Sequence, residues 1–156
     1  LHECKSKGIH TAIESALNVQ YETIEDMVDY TDLFIADIKG IDGNAHLETT
    51  GVDNKLILKN IKRLSGAANE LWIRVPIIPG INDTMSQMTE ILDFVKKLDK
   101  VSIVELMPFH NLGSKKYDSL GMSYNFLDVK PPDENFICQI TELFLSAGIS
   151  CRNGHK

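Results

Sequence analysis

Asp37 and Lys39 stand two residues apart at the end of the apolar run Leu33-Phe34-Ile35-Ala36. If that run is a β-strand, both side chains leave it on the same face. Glu14 ends the preceding apolar run. Arg74 and Trp72 share one face of a later run and oppose Leu71, Ile73 and Val75. His110 follows Pro108-Phe109 at the exit of the next one. These groups suit a ligand that carries a carboxylate, an amine and a ribose. Lys39 and Arg74 would counter the carboxylate, and Asp37 and Glu14 would counter the amine or a small cation.

The same residues have plain structural roles to weigh. Asp37 and Lys39 form an ion pair that closes a strand. Arg74 is a salt-bridge residue inside a barrel, His110 bonds loop backbone, and Glu14 is solvated. Glu105 sits mid-strand and is expected to be buried and paired. His10, His46 and His155 read as packing or surface residues, and their spacing makes no metal site. Two further functional readings stay open on the residues alone. Lys39 could form a Schiff base in an aldolase-type barrel, with Asp37 or Glu14 as acid and base. The chain could also be a non-catalytic domain that docks a partner protein.

Alternating strand-like and helix-like segments must position these groups. Strands are expected at 9–14, 33–37, 71–78 and 101–107, with a short last one at 149–151. Helices are expected at 22–30, 55–64 and 84–98, the last with Met88, Ile91, Leu92, Val95 and Leu98 as its apolar stripe. Asp53 or Asn54 is the expected cap of the second, and Asp83 of the third. A final helix starts at Pro131-Pro132-Asp133 and ends at Gly148. Residues 1–7 read as a last helical turn closed by Gly8, so residues upstream are expected. The stretch 111–129 reads as a long loop. Strand–helix alternation implies an α/β fold with a parallel sheet, either doubly wound or part of a (β/α) barrel. In both, ligands bind at the carboxyl ends of the strands.

Composition narrows the classes. The 156 residues are 43% hydrophobic and 24% charged, which fits one globular unit. Net charge is −6, and no run of positive charge exceeds two residues, so nucleic acid is not the expected main partner. No apolar run reaches the ~18 residues that span a bilayer, so no membrane partner is expected and the cytoplasm is the default location. Cys4, Cys138 and Cys151 are far apart and odd in number. They read as free thiols, not as a disulfide framework or zinc site.

Read in order, Gly8-Ile9-His10-Thr11, Asp37-Ile38-Lys39-Gly40, the run WIRVPIIPGIND from Trp72 to Asp83, ELMPFHNLGSKKY from Glu105 to Tyr117, and Asp128-Val129-Lys130-Pro131-Pro132 resemble the glycyl radical enzyme activating enzymes. These are radical S-adenosylmethionine (SAM) proteins of the pyruvate formate-lyase activating type. The resemblance covers nearly the whole chain. It implies a partial (β/α) barrel of the radical SAM type, truncated at its N-terminal side, with residues 1–156 supplying the C-terminal βα units. It also implies SAM and a [4Fe–4S] cluster as cofactors. A glycyl radical enzyme such as pyruvate formate-lyase would be the partner, and flavodoxin or ferredoxin the electron donor. Carried over by motif, Asp37, Ile38 and Lys39 line the SAM pocket, with Lys39 near the methionyl carboxylate. His110 meets the nucleoside, and Arg74 lies near SAM or the partner's glycyl loop. Glu14 and Asp37 are a candidate cation site, although Glu14-Ser15-Ala16-Leu17 stands where relatives often carry D-T-N-G. The family's C-x3-C-x2-C motif and its G-G-E segment are not among these residues. The 156 residues by themselves are therefore expected to hold no cluster and to be inactive.

Overall fold

The computed structural model describes residues 1–124 and 126–154. In chain order the elements are α1 (His2–Ser6), β1 (Ala12–Ser15), α2 (Tyr21–Val28), β2 (Leu33–Asp37), α3 (Gly43–Thr50), α4 (Lys55–Ala67) and β3 (Glu70–Ile77). There follow α5 (Met85–Val95), β4 (Ile103–Pro108), a 3-10 turn (Asn111–Gly113), α6 (Ser114–Ser119), α7 (Glu134–Ser146) and β5 (Cys151–Asn153).

The five strands are all parallel and lie in sequence order, β1-β2-β3-β4-β5. That order decides between the two architectures. A doubly wound sheet needs a point where strand order reverses. Here no reversal occurs, and right-handed crossovers between successive neighbours put the core-packed helices α2, α4, α5 and α7 on the same side. The result is an open arc of a (β/α) barrel. One continuous core joins Phe34, Ala36, Ile73, Val75, Val104 and Leu106 of the sheet to Ile24 of α2, Ile61 and Leu64 of α4, Ile91 of α5 and Phe144 of α7. The other face alternates with it: Trp72, Arg74 and Pro76 are half-buried between fully buried neighbours. This second face is where polar side chains accumulate.

Local signals set the element ends. Gly8 adopts φ 71 after α1, and its N–H and that of Ile9 donate to Lys5 O and Cys4 O, so the segment closes as its glycine implies. The cap of α5 is Thr84, not Asp83. Thr84 and Gln87 form a reciprocal capping box, and Asp83 Oδ1 instead accepts from Gly80 N. Asp133 caps α7 through Asn135 N.

Leu17 is the only non-glycine residue of positive φ (56°) among the described residues, and its side chain is buried. It follows β1. A left-handed conformation costs an L-residue about 1–2 kcal/mol. Leu17→Ala is expected to lose about 2–5 kcal/mol from the vacated core space. Leu17→Gly vacates the same space but relieves the backbone, so it should cost about 1 kcal/mol less than the alanine variant. Chemical denaturation of both would test this, and the usual order, with glycine worse, would contradict it.

Candidate functional site

Strand register delivers the polar residues as a row. Asp37 of β2 pairs with Arg74 of β3, Arg74 with Glu105 of β4, and Glu105 with Arg152 of β5. Glu14 of β1 lies one step back, in the row of Ile35 and Trp72. All face the side of the sheet away from the helices.

Glu105 is the hub of this row. Its side chain is only 6% exposed, and it accepts from Arg74 Nε at 2.7 Å and from Arg152 Nε and Nη2 at 3.0 and 2.7 Å. Burial opposes its ionisation, but hydrogen bonds from Arg152 and Arg74 outweigh that and hold its carboxyl below the usual range. Arg74 reaches back across β2 to Glu14, Nη1 to Oε1, at 2.5 Å. Burial works against the Arg74 cation, and Glu14 and Glu105 more than compensate, so its pKa is raised. The Arg152 guanidinium also stacks over Trp72, 4.5 Å from the ring centroid. Trp72 Nε1 donates to Glu70. Gly154 completes the enclosure: a Cβ there would come within 3.1 Å of Glu105 Cγ and 2.4 Å of Met107 Sδ. Arg152 and Gly154 had no place in the sequence reading.

Asp37 and Lys39 do share a face and form an ion pair at 3.0 Å, both partly exposed. Ile38 between them turns into the core, 1% exposed, while its N–H donates to Arg74 O. Its side chain therefore offers no surface at the mouth. The Lys39 ammonium lies against a carboxylate and near solvent, which is not the desolvated setting that activates a Schiff-base lysine. Glu14 and Asp37 each engage a cation, Arg74 and Lys39 respectively. Among the described residues no three His, Cys, Asp or Glu are grouped to hold a metal ion.

His110 is exposed just beyond β4, at the same end of the sheet as Asp37 and Lys39. Its Nδ1 accepts from Leu112 N at 3.3 Å, which puts the proton of the neutral ring on Nε2. It borders a cavity of about 340 Å³ lined by Pro108, Phe109, Pro132, Ile137 and Asn153, between the exit of β4 and the start of α7. From Phe109 an aromatic chain runs outward through Phe126, Tyr124 and Tyr117 at centroid spacings of 5.9, 5.9 and 4.9 Å. It anchors the 3-10 turn and α6, which occupy 111–119 of the stretch expected as a loop. His46 is buried and bonds Val52 O through Nδ1, a packing role. His155 lies outside the described residues.

Three buried asparagines hold the rim loops, a role the sequence reading did not assign to them. Asn60 donates to Leu17 O and Val19 O. Asn54 donates to Gly40 O and Ile41 O. Asn82 donates to Lys39 O and Pro76 O and accepts from Ile78 N. The one available sequence signal was a polar residue on an apolar helical stripe, as Asn60 is beside Ile57, Ile61 and Leu64.

The fold matches that of radical SAM enzymes of known structure. A radical SAM methyltransferase from Sphaerobacter thermophilus superposes over 94% of this chain and 41% of its own, with TM-score 0.70 at 11% identity, a likeness of fold alone. A domain of pyruvate-formate lyase-activating enzyme from Bacteroides vulgatus covers 97% of this chain and 85% of its own, with TM-score 0.81 and 26% identity. No family model matches the chain. Curated relatives carry the particular assignment. The 4-hydroxyphenylacetate decarboxylase activating enzyme of Clostridioides difficile is 38% identical across 100% of this chain and 51% of its own length. The pyruvate formate-lyase-activating enzyme of Staphylococcus epidermidis is 34% identical across 86% and 56%. The homologues of this chain are glycyl radical enzyme activating enzymes, and it spans about half the length of those it matches.

Proposed function

We propose that this chain supplies the C-terminal βα units of a radical SAM activase that generates a glycyl radical on a partner enzyme in the cytoplasm. The carrying observation is convergence. Asp37 and Lys39 at the end of β2, Arg74 beside them on β3, and His110 past β4 gather at one end of one parallel sheet. That is where such folds bind ligands. The residues fit SAM in chemistry. Lys39 supplies a cation for the methionyl carboxylate and Asp37 an acceptor for its amine. His110 supplies an Nε2 donor beside an apolar cavity able to take a nucleoside base. Arg74 is already held by Glu14 and Glu105, so its part is to set the potential of the mouth.

The [4Fe–4S] cluster does not fit the cysteines present, which lie on α1, α7 and β5. In the whole activase such a cluster, held by residues other than these cysteines, would supply the electron for SAM cleavage, and flavodoxin or ferredoxin is the proposed donor. A partner protein is supported by the exposed apolar side chains beside the mouth. Leu112, Leu120, Leu127 and Met122 are 78%, 73%, 60% and 55% exposed, the highest values among large hydrophobics of the described residues. Which glycyl radical enzyme docks there is a question of that surface; pyruvate formate-lyase is the proposed one.

The test is SAM affinity by calorimetry on the full reading frame that encodes these residues. Lys39→Met should weaken SAM binding on the order of tenfold to a hundredfold, the worth of one charge-assisted hydrogen bond. Unchanged affinity would remove Lys39 from the site.

A further inference from the structure

We infer that Asn82 is a positioning residue for SAM recognition, acting through the backbone of Lys39. This rests on the proposed role of Lys39. Three consecutive carbonyls, those of Lys39, Gly40 and Ile41, are each held by the amide of a buried asparagine: Asn82 takes the first and Asn54 the other two. Asn82 is 3% exposed and comes from the loop after β3. Its Nδ2 donates at 3.0 Å to Lys39 O and at 2.6 Å to Pro76 O near the end of β3. Its Oδ1 accepts at 2.7 Å from Ile78 N. One side chain thus ties the exit of β2 to the exit of β3, just past the last ladder bond between them, Ile38 N to Arg74 O.

Lys39 lies beyond the end of β2, so no strand pairing fixes its backbone. A long side chain on an unfixed loop would have to be ordered each time a ligand binds, and that cost falls on affinity. The Asn82 clamp removes the cost in advance and keeps Lys39 on the same face as Asp37 and Arg74. Both amide hydrogens go to carbonyls and the amide oxygen to an N–H, so aspartate, with the same shape, cannot replace it. It would set a carboxylate against two carbonyl oxygens.

The experiment compares SAM with 5′-methylthioadenosine, which lacks the amino-acid part, on the full reading frame. Asn82→Ala should weaken SAM about tenfold and leave methylthioadenosine within about twofold. Asn82→Asp should do the same. In a Lys39→Met background, Asn82→Ala should change SAM affinity by less than about twofold, because the group it positions is gone. Equal weakening of both ligands, or an undiminished effect in the Lys39→Met background, would reduce Asn82 to a general structural role and overturn the inference. A Lys39→Met effect with none from Asn82→Ala would sink this inference alone. No effect from Lys39→Met would sink the reading of Lys39 on which it stands. Should the Asn82 variants fold poorly, Asn54→Ala frees the next two carbonyls and carries the same expectation. Ile91→Val, a core change in α5, controls for lost stability.

Discussion

Glu105→Gln should destabilise the protein by about 3 kcal/mol, the lower end of what removing one partner of a buried ion pair costs. The charge lost is nearly enclosed, with a side chain 6% exposed. It answers two guanidinium groups, so its removal leaves Arg74, 20% exposed, with Glu14 alone. Arg152 is 48% exposed and can return to water, which keeps the cost near the lower end. The effect also has a pH signature. The folded pKa of Glu105 lies below its ordinary 4.5, so its contribution is complete above that value. It is lost as pH falls through the folded pKa, when the native carboxylate takes up its proton. Urea unfolding at a series of pH values should show the gap between the parent and the glutamine variant closing in acid. A gap that stays constant, or that widens below 4.5, would mean that the arginines do not hold Glu105 ionised. Other acids such as Asp32, held low by Lys5 and Thr11, titrate in both proteins and cancel in the difference.

How far the sequence carried depended on the range of each interaction. Strand parity was legible, because a period of two follows from the backbone alone. It correctly put Asp37 with Lys39 and Arg74 with Trp72, and it set Glu105 among buried, paired residues. The order of the strands was not legible, since it depends on pairings between segments up to fifty residues apart, and only that order excludes the doubly wound alternative. Helix α3 was missed because GNAHLETT has no apolar stripe. Its limits rest on the Asp42 cap and the left-handed Gly51, both local signals that were present. Asp83 was preferred as a cap over Thr84, although the Thr-x-x-Gln spacing that defines the capping box was in view. Arg152 and the three asparagines were out of reach for another reason. Each acts on a carboxylate or carbonyl well removed along the chain, and residue type says nothing about that partner.

These 156 residues by themselves should assemble no [4Fe–4S] cluster and cleave no SAM, a complete loss and not a graded one. Iron–sulfur clusters of this kind need thiolates gathered at one point. Burial pushes the Cys151 thiol up to about 12, so it stays protonated where a ligand must ionise. Cys4 and Cys138 are exposed on α1 and α7, two separate helices. Anaerobic incubation with iron and sulfide, followed by gel filtration, should recover protein without the broad visible absorption of a cluster and without 5′-deoxyadenosine on adding SAM and a reductant. Recovery of both by this polypeptide would show that its own thiols can do what their positions forbid. The full reading frame, if it carries the three-cysteine motif of the activating enzymes, should regain both activities, and Lys39→Met should then lower SAM affinity without removing the cluster. That separation is the physical point. Thiolates would hold iron at one place, while the arc of β2, β3 and β4 holds the charged groups proposed to grip the amino acid and nucleoside, so each half could be disabled while the other remains intact.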